Sequence, residues 1–241
     1  MALITAFLFV AVQVYIKRRA ISWGERFTRH RIAVLLGIAL VVVGIKIVED
    51  VLGKESGPFD EAVLQLIHQH FSPALTALFS TVTLTGSLRF LVAAAAAATI
   101  ALLLVRRRFE AALVAVSTAV GGLLVYLVKI AVGRARPSLW QTEEYWGSSF
   151  PSGHTLGTAA FATALCIAAI RIWPEWRSAI AFLATVWVLL VGLSRLVLGA
   201  HWPTDVLAAA CLGTLIPLVI SLIATATHDI RTGRQKRFPS R

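Results

Sequence analysis

Six long apolar runs, over residues 32–48, 87–105, 109–132, 155–170, 178–198 and 204–226, constrain this 241-residue chain more than any other feature. A water-soluble core has no use for so many uninterrupted runs, whereas a bilayer needs about 20 apolar residues for each crossing helix. Only 15% of the residues are charged and 58% are hydrophobic, above the roughly 45–50% of soluble domains. The expected fold is therefore all-α: a polytopic membrane helical bundle with six core transmembrane helices. A seventh apolar stretch, residues 2–16, lacks a basic leader and a cleavage site, so a removed signal peptide is not expected. An extra N-terminal span and a helix lying in the interface both remain open for it. Three regions follow: an N-terminal apolar segment with a basic linker (1–31), a six-span domain (32–226) and a basic, loosely ordered tail (227–241).

The formal net charge of +11 would point to nucleic acid in a soluble protein. Here the basic residues fall mostly in short loops, where membrane topology accounts for them and no nucleic-acid partner is expected. Sixteen Lys and Arg lie in the loops and tail of one face and seven on the other, which makes the first face cytoplasmic. The other face carries the unusual loops. Residues 60–71 have an amphipathic pattern with Val63, Leu66, Ile67 and Phe71 on one side. Ser72-Pro73 then forms a helix start, and Leu75, Leu78, Phe79 and Val82 continue an apolar stripe. These are expected to be short interfacial helices. His68 and His70 within them have no partners at ligand spacing and are expected to be interfacial polar residues. Cys166 and Cys211 lie inside spans without metal or redox spacing and are expected to be small buried residues.

Three polar clusters fall on that non-cytoplasmic face. One is Lys129 to Pro137 (KIAVGRARP), the second Pro151-Ser152-Gly153-His154, and the third Ser194-Arg195 followed by His201-Trp-Pro-Thr-Asp205. Each alone reads as a snorkelling cation or an ordinary helix start. Together they place cations, two histidines and a carboxylate near the membrane interior, where ionisable groups are costly and usually functional. Lys129, Arg136 and Arg195 suit phosphate oxygens. Gly153 allows close backbone approach, and the N–H groups around Ser152, Gly153 and His154 open a helix, a ready anion site. A carboxylate at Asp205 would fix the tautomer of His201 and make it a nucleophile toward phosphorus. His154 has no such neighbour in sequence and suits the acid/base role. With one carboxylate at the centre, no metal and no cofactor are implied. Glu143 and Glu144 lack a paired ligand; with Trp140, Tyr145 and Trp146 they read as a rim or lid. Arg134, between the two motif cations, is either a contact for a second phosphate or a surface residue.

Lys129-x6-Arg136-Pro137, Pro151-Ser152-Gly153-His154 and Ser194-Arg195-x5-His201-x3-Asp205 together resemble the three-part signature of the type 2 phosphatidic acid phosphatase superfamily. The motifs cover residues 129–205, and the six-span layout extends the likeness over most of the chain. The resemblance implies a metal-independent phosphatase working through a phosphohistidine. His201 would be the nucleophile, Asp205 its orienting partner and His154 the acid/base. Lys129, Arg136, Arg195, Ser152 and Gly153 would bind phosphate. Soluble vanadium-dependent haloperoxidases share that site, but the spans argue against their branch. The expected substrate is a membrane lipid bearing a phosphate or pyrophosphate: phosphatidic acid, phosphatidylglycerophosphate, undecaprenyl pyrophosphate or lipid A. A lipid phosphotransferase and a non-catalytic transporter are the alternatives. The expected location is the cell (inner) membrane with the site facing outward.

Overall fold

A computed structural model describes residues 31–139 and 147–237, with residues 5–6, 10–11 and 14 also placed. The expectations for residues 2–16 as a whole, and for Trp140, Glu143, Glu144, Tyr145 and Trp146, lie outside the described residues. Eight α-helices follow one another among the described residues of these two stretches. They are α1 Arg31–Leu52, α2 Gly57–His70, α3 Pro73–Leu84, α4 Leu88–Leu104, α5 Arg108–Val132, α6 Gly153–Ile172, α7 Arg177–Val197 and α8 Pro203–Arg237. A single 3₁₀ turn, Pro174–Trp176, precedes α7. No strand occurs among the described residues.

Among the described residues, four segments are long and apolar enough to cross a membrane: Arg108–Val132, Gly153–Ile172, Pro174–Val197 and Pro203–Thr225. The pair α3 and α4, bent by 45° at a short break, makes a fifth if it is counted as one span. Six such spans were expected. Of the other expected runs, α4 alone has 17 residues, and α1 carries Lys46, Glu49 and Asp50 in its last two turns. The tail, expected to be loosely ordered, continues α8 as helix through Arg237.

Helix α6 is the hub, packed against α5, α7 and α8. Its small side chains make this possible, because helices in lipid associate by close backbone packing. Ala159, Ala160, Ala162, Ala164 and Ala168 are all buried. On α8, a Cβ at Gly213 would meet the Leu156 carbonyl oxygen at 2.5 Å and Ala159 Cβ at 2.7 Å, so only glycine fits that crossing. Leu91, Leu113, Val114, Phe161, Ala164 and Ala168 form the apolar core between α4, α5 and α6. Trp187 of α7 packs edge-on to Phe90 and Phe161, and its indole N–H donates to Thr85 Oγ1 at 3.0 Å. That contact anchors the α3–α4 break to α7.

The helix starts expected at Ser72-Pro73 and Ser87 are present. Ser72 Oγ accepts from the Leu75 N–H at 3.4 Å, and Ser87 Oγ from the Phe90 N–H at 3.3 Å. The inward face of α2 differs from expectation. Ser56, Asp60 and Leu64 are buried, whereas Leu66 is 58% exposed. Ser56, Asp60 and Leu64 share an i, i+4 register that is buried, with Asp60 bonded to Thr204 of α8, while Phe59 and Leu66 of the same helix are exposed. In a bilayer the outside is the apolar solvent, so an inward face can be polar if its groups are paired. His68 and His70 are exposed on this helix.

Candidate active site

Helix α5 ends at Gly133, whose φ of 62° is left-handed and whose N–H donates to the Lys129 carbonyl at 3.3 Å. The turn releases residues 134–137 from the helix and sends them across the bundle end. Arg136 therefore reaches the site from a loop, not from two turns further along α5. Its Nη1 donates to the Ala200 carbonyl at 2.7 Å and lies 3.4 Å from His201 Nε2; its Nε donates to the Gly147 carbonyl at 3.2 Å. Lys129 Nζ, largely buried, donates to the Ser148 carbonyl.

The stretch 147–152 lies across the start of α6. Phe150, Pro151 and Ser152 are buried, and the Ser152 N–H donates to the Asp205 carbonyl at 3.3 Å. Ser152 Oγ accepts from Thr155 Oγ1 at 3.0 Å instead of capping its own helix. The first-turn N–H groups of α6 have no acceptor within the helix, as at any helix start. Arg195, 2% exposed at the end of α7, donates from Nη1 to Thr83 Oγ1 at 2.7 Å. Thr83 comes from α3, beside the bend. His154 is close enough to Arg195, His201, Arg136 and Lys129 to interact electrostatically with all four. Lys129, Arg136, Arg195, Ser152, Gly153, His154, His201 and Asp205 are thus gathered at one end of the bundle.

His201 sits between α7 and α8, 2% exposed. Its Nδ1 is 3.7 Å from Asp205 Oδ2, and its Nε2 is turned toward Arg136. Burial pushes its pKa down to about 4; Arg195 and Arg136 push the same way and Asp205 opposes them. The imidazole is accordingly neutral at pH 7, with a lone pair to offer. Asp205 is fully buried and well supplied with donors: Ser149 Oγ and the Trp202 N–H (2.9 Å) on Oδ2, and Arg134 Nη1 (2.5 Å) on Oδ1.

Arg134 is neither of the things expected of it. Its guanidinium bridges two carboxylates, Asp205 through Nη1 and Asp60 through Nη2 at 2.7 Å. It also donates to Thr204 Oγ1 and Ser56 Oγ and stacks at 5.7 Å over the Trp202 ring. Asp60 is the residue that sequence reasoning missed. It is fully buried and accepts from the Thr204 N–H at 2.9 Å and from Thr204 Oγ1 at 2.7 Å. The site therefore has a second carboxylate, not the single one expected. The available signal was its place: an acid in the first turn of a short helix, four residues after Ser56. Thr83 and Ser149 were also missed, and nothing in their sequence surroundings marks them.

Residues 110–229 match the family model described as "PAP2 superfamily". Over 113 residues the chain is 34% identical to a lipid A 1-phosphatase of Rhizobium johnstonii, covering 42% of this chain and 43% of that protein. It is 26% identical over 180 residues to phosphatidylglycerophosphatase B of Bacillus subtilis, covering 73% of this chain and 87% of that one. The alignments span less than half the length of the lipid A 1-phosphatases that it matches. The fold superposes on the crystal structure of a transmembrane PAP2-type phosphatidylglycerolphosphate phosphatase from Bacillus subtilis. The TM-score is 0.73 at 22% identity, covering 79% of this chain and 96% of the other.

Proposed function

The chain belongs to the PAP2 superfamily through its residues 110–229, and from this we infer that it is an integral-membrane lipid phosphatase that forms a phosphohistidine. One observation carries the reading. Three cations, two histidines and a carboxylate from four separate chain segments converge at one end of the bundle, with His201 neutral and its Nε2 turned toward Arg136. Nothing in the packing of an apolar bundle needs that convergence, and it costs desolvation.

The steps follow from the positions. A phosphate dianion seats among Lys129, Arg136 and Arg195, with the α6 N-terminus and Ser152 beside it. His201 Nε2 attacks phosphorus and the bond from phosphorus to the lipid oxygen breaks. The bound dianion offsets the surrounding cations so that His154 takes up a proton from solvent, and the imidazolium then gives that proton to the departing alkoxide. Asp205 steadies the imidazolium that His201 becomes. Water then attacks phosphorus, His154 takes its proton, the P–N bond breaks and inorganic phosphate leaves. The three cations stabilise the charge on the equatorial oxygens, where most phosphoryl-transfer catalysis lies.

The substrate class is a lipid phosphate held in the bilayer, in keeping with the substrates named for the relatives. With Arg134 committed to Asp60 and Asp205, the charge argument for a second phosphate falls away, and we favour a monoester such as phosphatidic acid or phosphatidylglycerophosphate over a pyrophosphate. The site faces the non-cytoplasmic side of a six-span bundle in the cell membrane, with α1 and the α3–α4 pair supplying the first two crossings; the loop charges support that orientation. A panel of lipid phosphates and pyrophosphates, offered in EDTA to detergent-purified protein and to His201→Ala, tests the reading. Turnover by the wild type alone is expected. Turnover that survives in His201→Ala would sink the phosphohistidine, and loss of activity in EDTA would sink the metal-free mechanism. A reporter fused after Arg241 is expected in the cytoplasm.

A further inference from the structure

We propose that Asp60 is a positioning residue for catalysis: through Arg134 it sets the hold that Asp205 has on the nucleophile His201, and so couples the short helix α2 to the reacting centre. The inference rests on the phosphatase reading and deepens it.

Asp60 lies outside residues 110–229, the part that matches the family, and belongs to none of the three motifs. It is nevertheless fully buried and accepts three hydrogen bonds. Burying a carboxylate and an arginine together is poor value as stability alone, because apolar side chains of the same volume often do as well. What the arrangement supplies is geometry. The Thr204 N–H and hydroxyl fasten Asp60 to the first turn of α8, the turn that carries Asp205 and begins two residues after His201. Arg134 lies between the two carboxylates with one nitrogen on each, at 2.7 Å from Asp60 and 2.5 Å from Asp205.

The charge balance gives the consequence. With Asp60 ionised, Arg134 divides its donors between two acids, and Asp205 keeps an oxygen, Oδ2, 3.7 Å from His201 Nδ1. With Asp60 neutral, the whole positive charge of Arg134 falls to Asp205. Asp205 is drawn toward Arg134, and its support for the imidazolium formed on attack weakens. The loss appears in the transition state, when His201 becomes charged, and hardly in binding, which the three phosphate cations carry.

The test uses the full chain in detergent with a short-chain phosphatidic acid, comparing wild type with Asp60→Asn, Arg134→Gln and the double variant. Asp60→Asn keeps the shape but removes the charge and turns one acceptor oxygen into an NH2 donor. Active sites are counted by trapping labelled phosphohistidine at saturating substrate, so that misfolded protein is not counted as slow protein. Asp60→Asn is expected to lower kcat per active site by about tenfold or more while KM moves less than about threefold, the pattern of lost transition-state support. The double variant is expected to be no slower than the slower single variant, because both changes act through one contact. Unchanged kcat per active site in Asp60→Asn, or single effects that multiply in the double variant, would overturn the proposal and leave the phosphatase reading standing. A wild type that hydrolyses no phosphate lipid would overturn both.

Discussion

The two ends of this bundle are both rich in charge, yet they use it differently. At the end opposite the site, Arg171 pairs with Glu110 at 3.1 Å and lies 4.6 Å over the Phe109 ring, but its side chain is 47% exposed. Arg106, Arg107 and Arg108 beside it are exposed as well. At the site end, Arg195 is 2% exposed, Lys129 8%, and Asp60 and Asp205 are fully buried. The first set stays largely exposed, as long basic side chains do when their stems cover apolar surface. The second set has given up water and is held only by other protein groups. Charge count alone does not separate the two; burial does.

Substitutions sharpen that contrast in descending order. His201→Ala should remove the labelled phosphoenzyme and cut turnover by on the order of 10⁴-fold or more, as deleting a nucleophile does. Asp205→Asn should preserve folding and lower kcat by about 10³- to 10⁴-fold, as with other carboxylates that orient a histidine; residual turnover near wild type would show that the 3.7 Å approach has no catalytic meaning. Thr83→Val deletes the hydroxyl that holds Arg195 Nη1. A buried hydrogen bond to a charged group is worth about 1.5–3 kcal/mol, so a loss of tenfold or more in kcat/KM is expected in steady-state assays.

Acid should loosen the site end first. His201 titrates near pH 4 in the fold against an ordinary value of 6.5. The unfolded chain therefore binds the proton first, and stability falls as pH drops from about 6.5 to 4, with the contribution fully present only above that window. Melting curves in detergent should show this decline, and His201→Gln should lack its share of it. The smallest effect belongs to the far end. The double change Glu110→Gln with Arg171→Gln should leave turnover unchanged and cost no more than about 1 kcal/mol, the range of partly exposed ion pairs.

The helical runs and the polar motifs were legible in the sequence because each rests on a local signal. Apolar length marks a span, and Ser72-Pro73 marks a helix start. The three clusters could be read as one site because their chemistry is complementary. What escaped was whatever depends on packing between distant segments. Asp60 and Thr204 are 144 positions apart, and Thr83 and Arg195 are 112 apart; neither pairing has a period or a spacing. Arg134 was misjudged for the same reason, since its second carboxylate comes from a helix expected only to lie in the headgroups. The buried face of α2 escaped because the helix was read only as an interfacial one, from its Val63, Leu66, Ile67 and Phe71 side, and the partners of Ser56 and Asp60 come from distant segments. In lipid, the paired polar residues turn inward.

The placement of Asp60 bears on how such a site can be transplanted. Residues 110–229 carry every motif side chain, so a graft of that stretch onto another bundle would look complete on paper. It would arrive with Arg134 facing one acid instead of two and with the Thr204 N–H uncapped. The smallest portable unit of this chemistry therefore begins no later than Ser56, and a designer would have to carry α2 along as part of the machinery, although no motif runs through it.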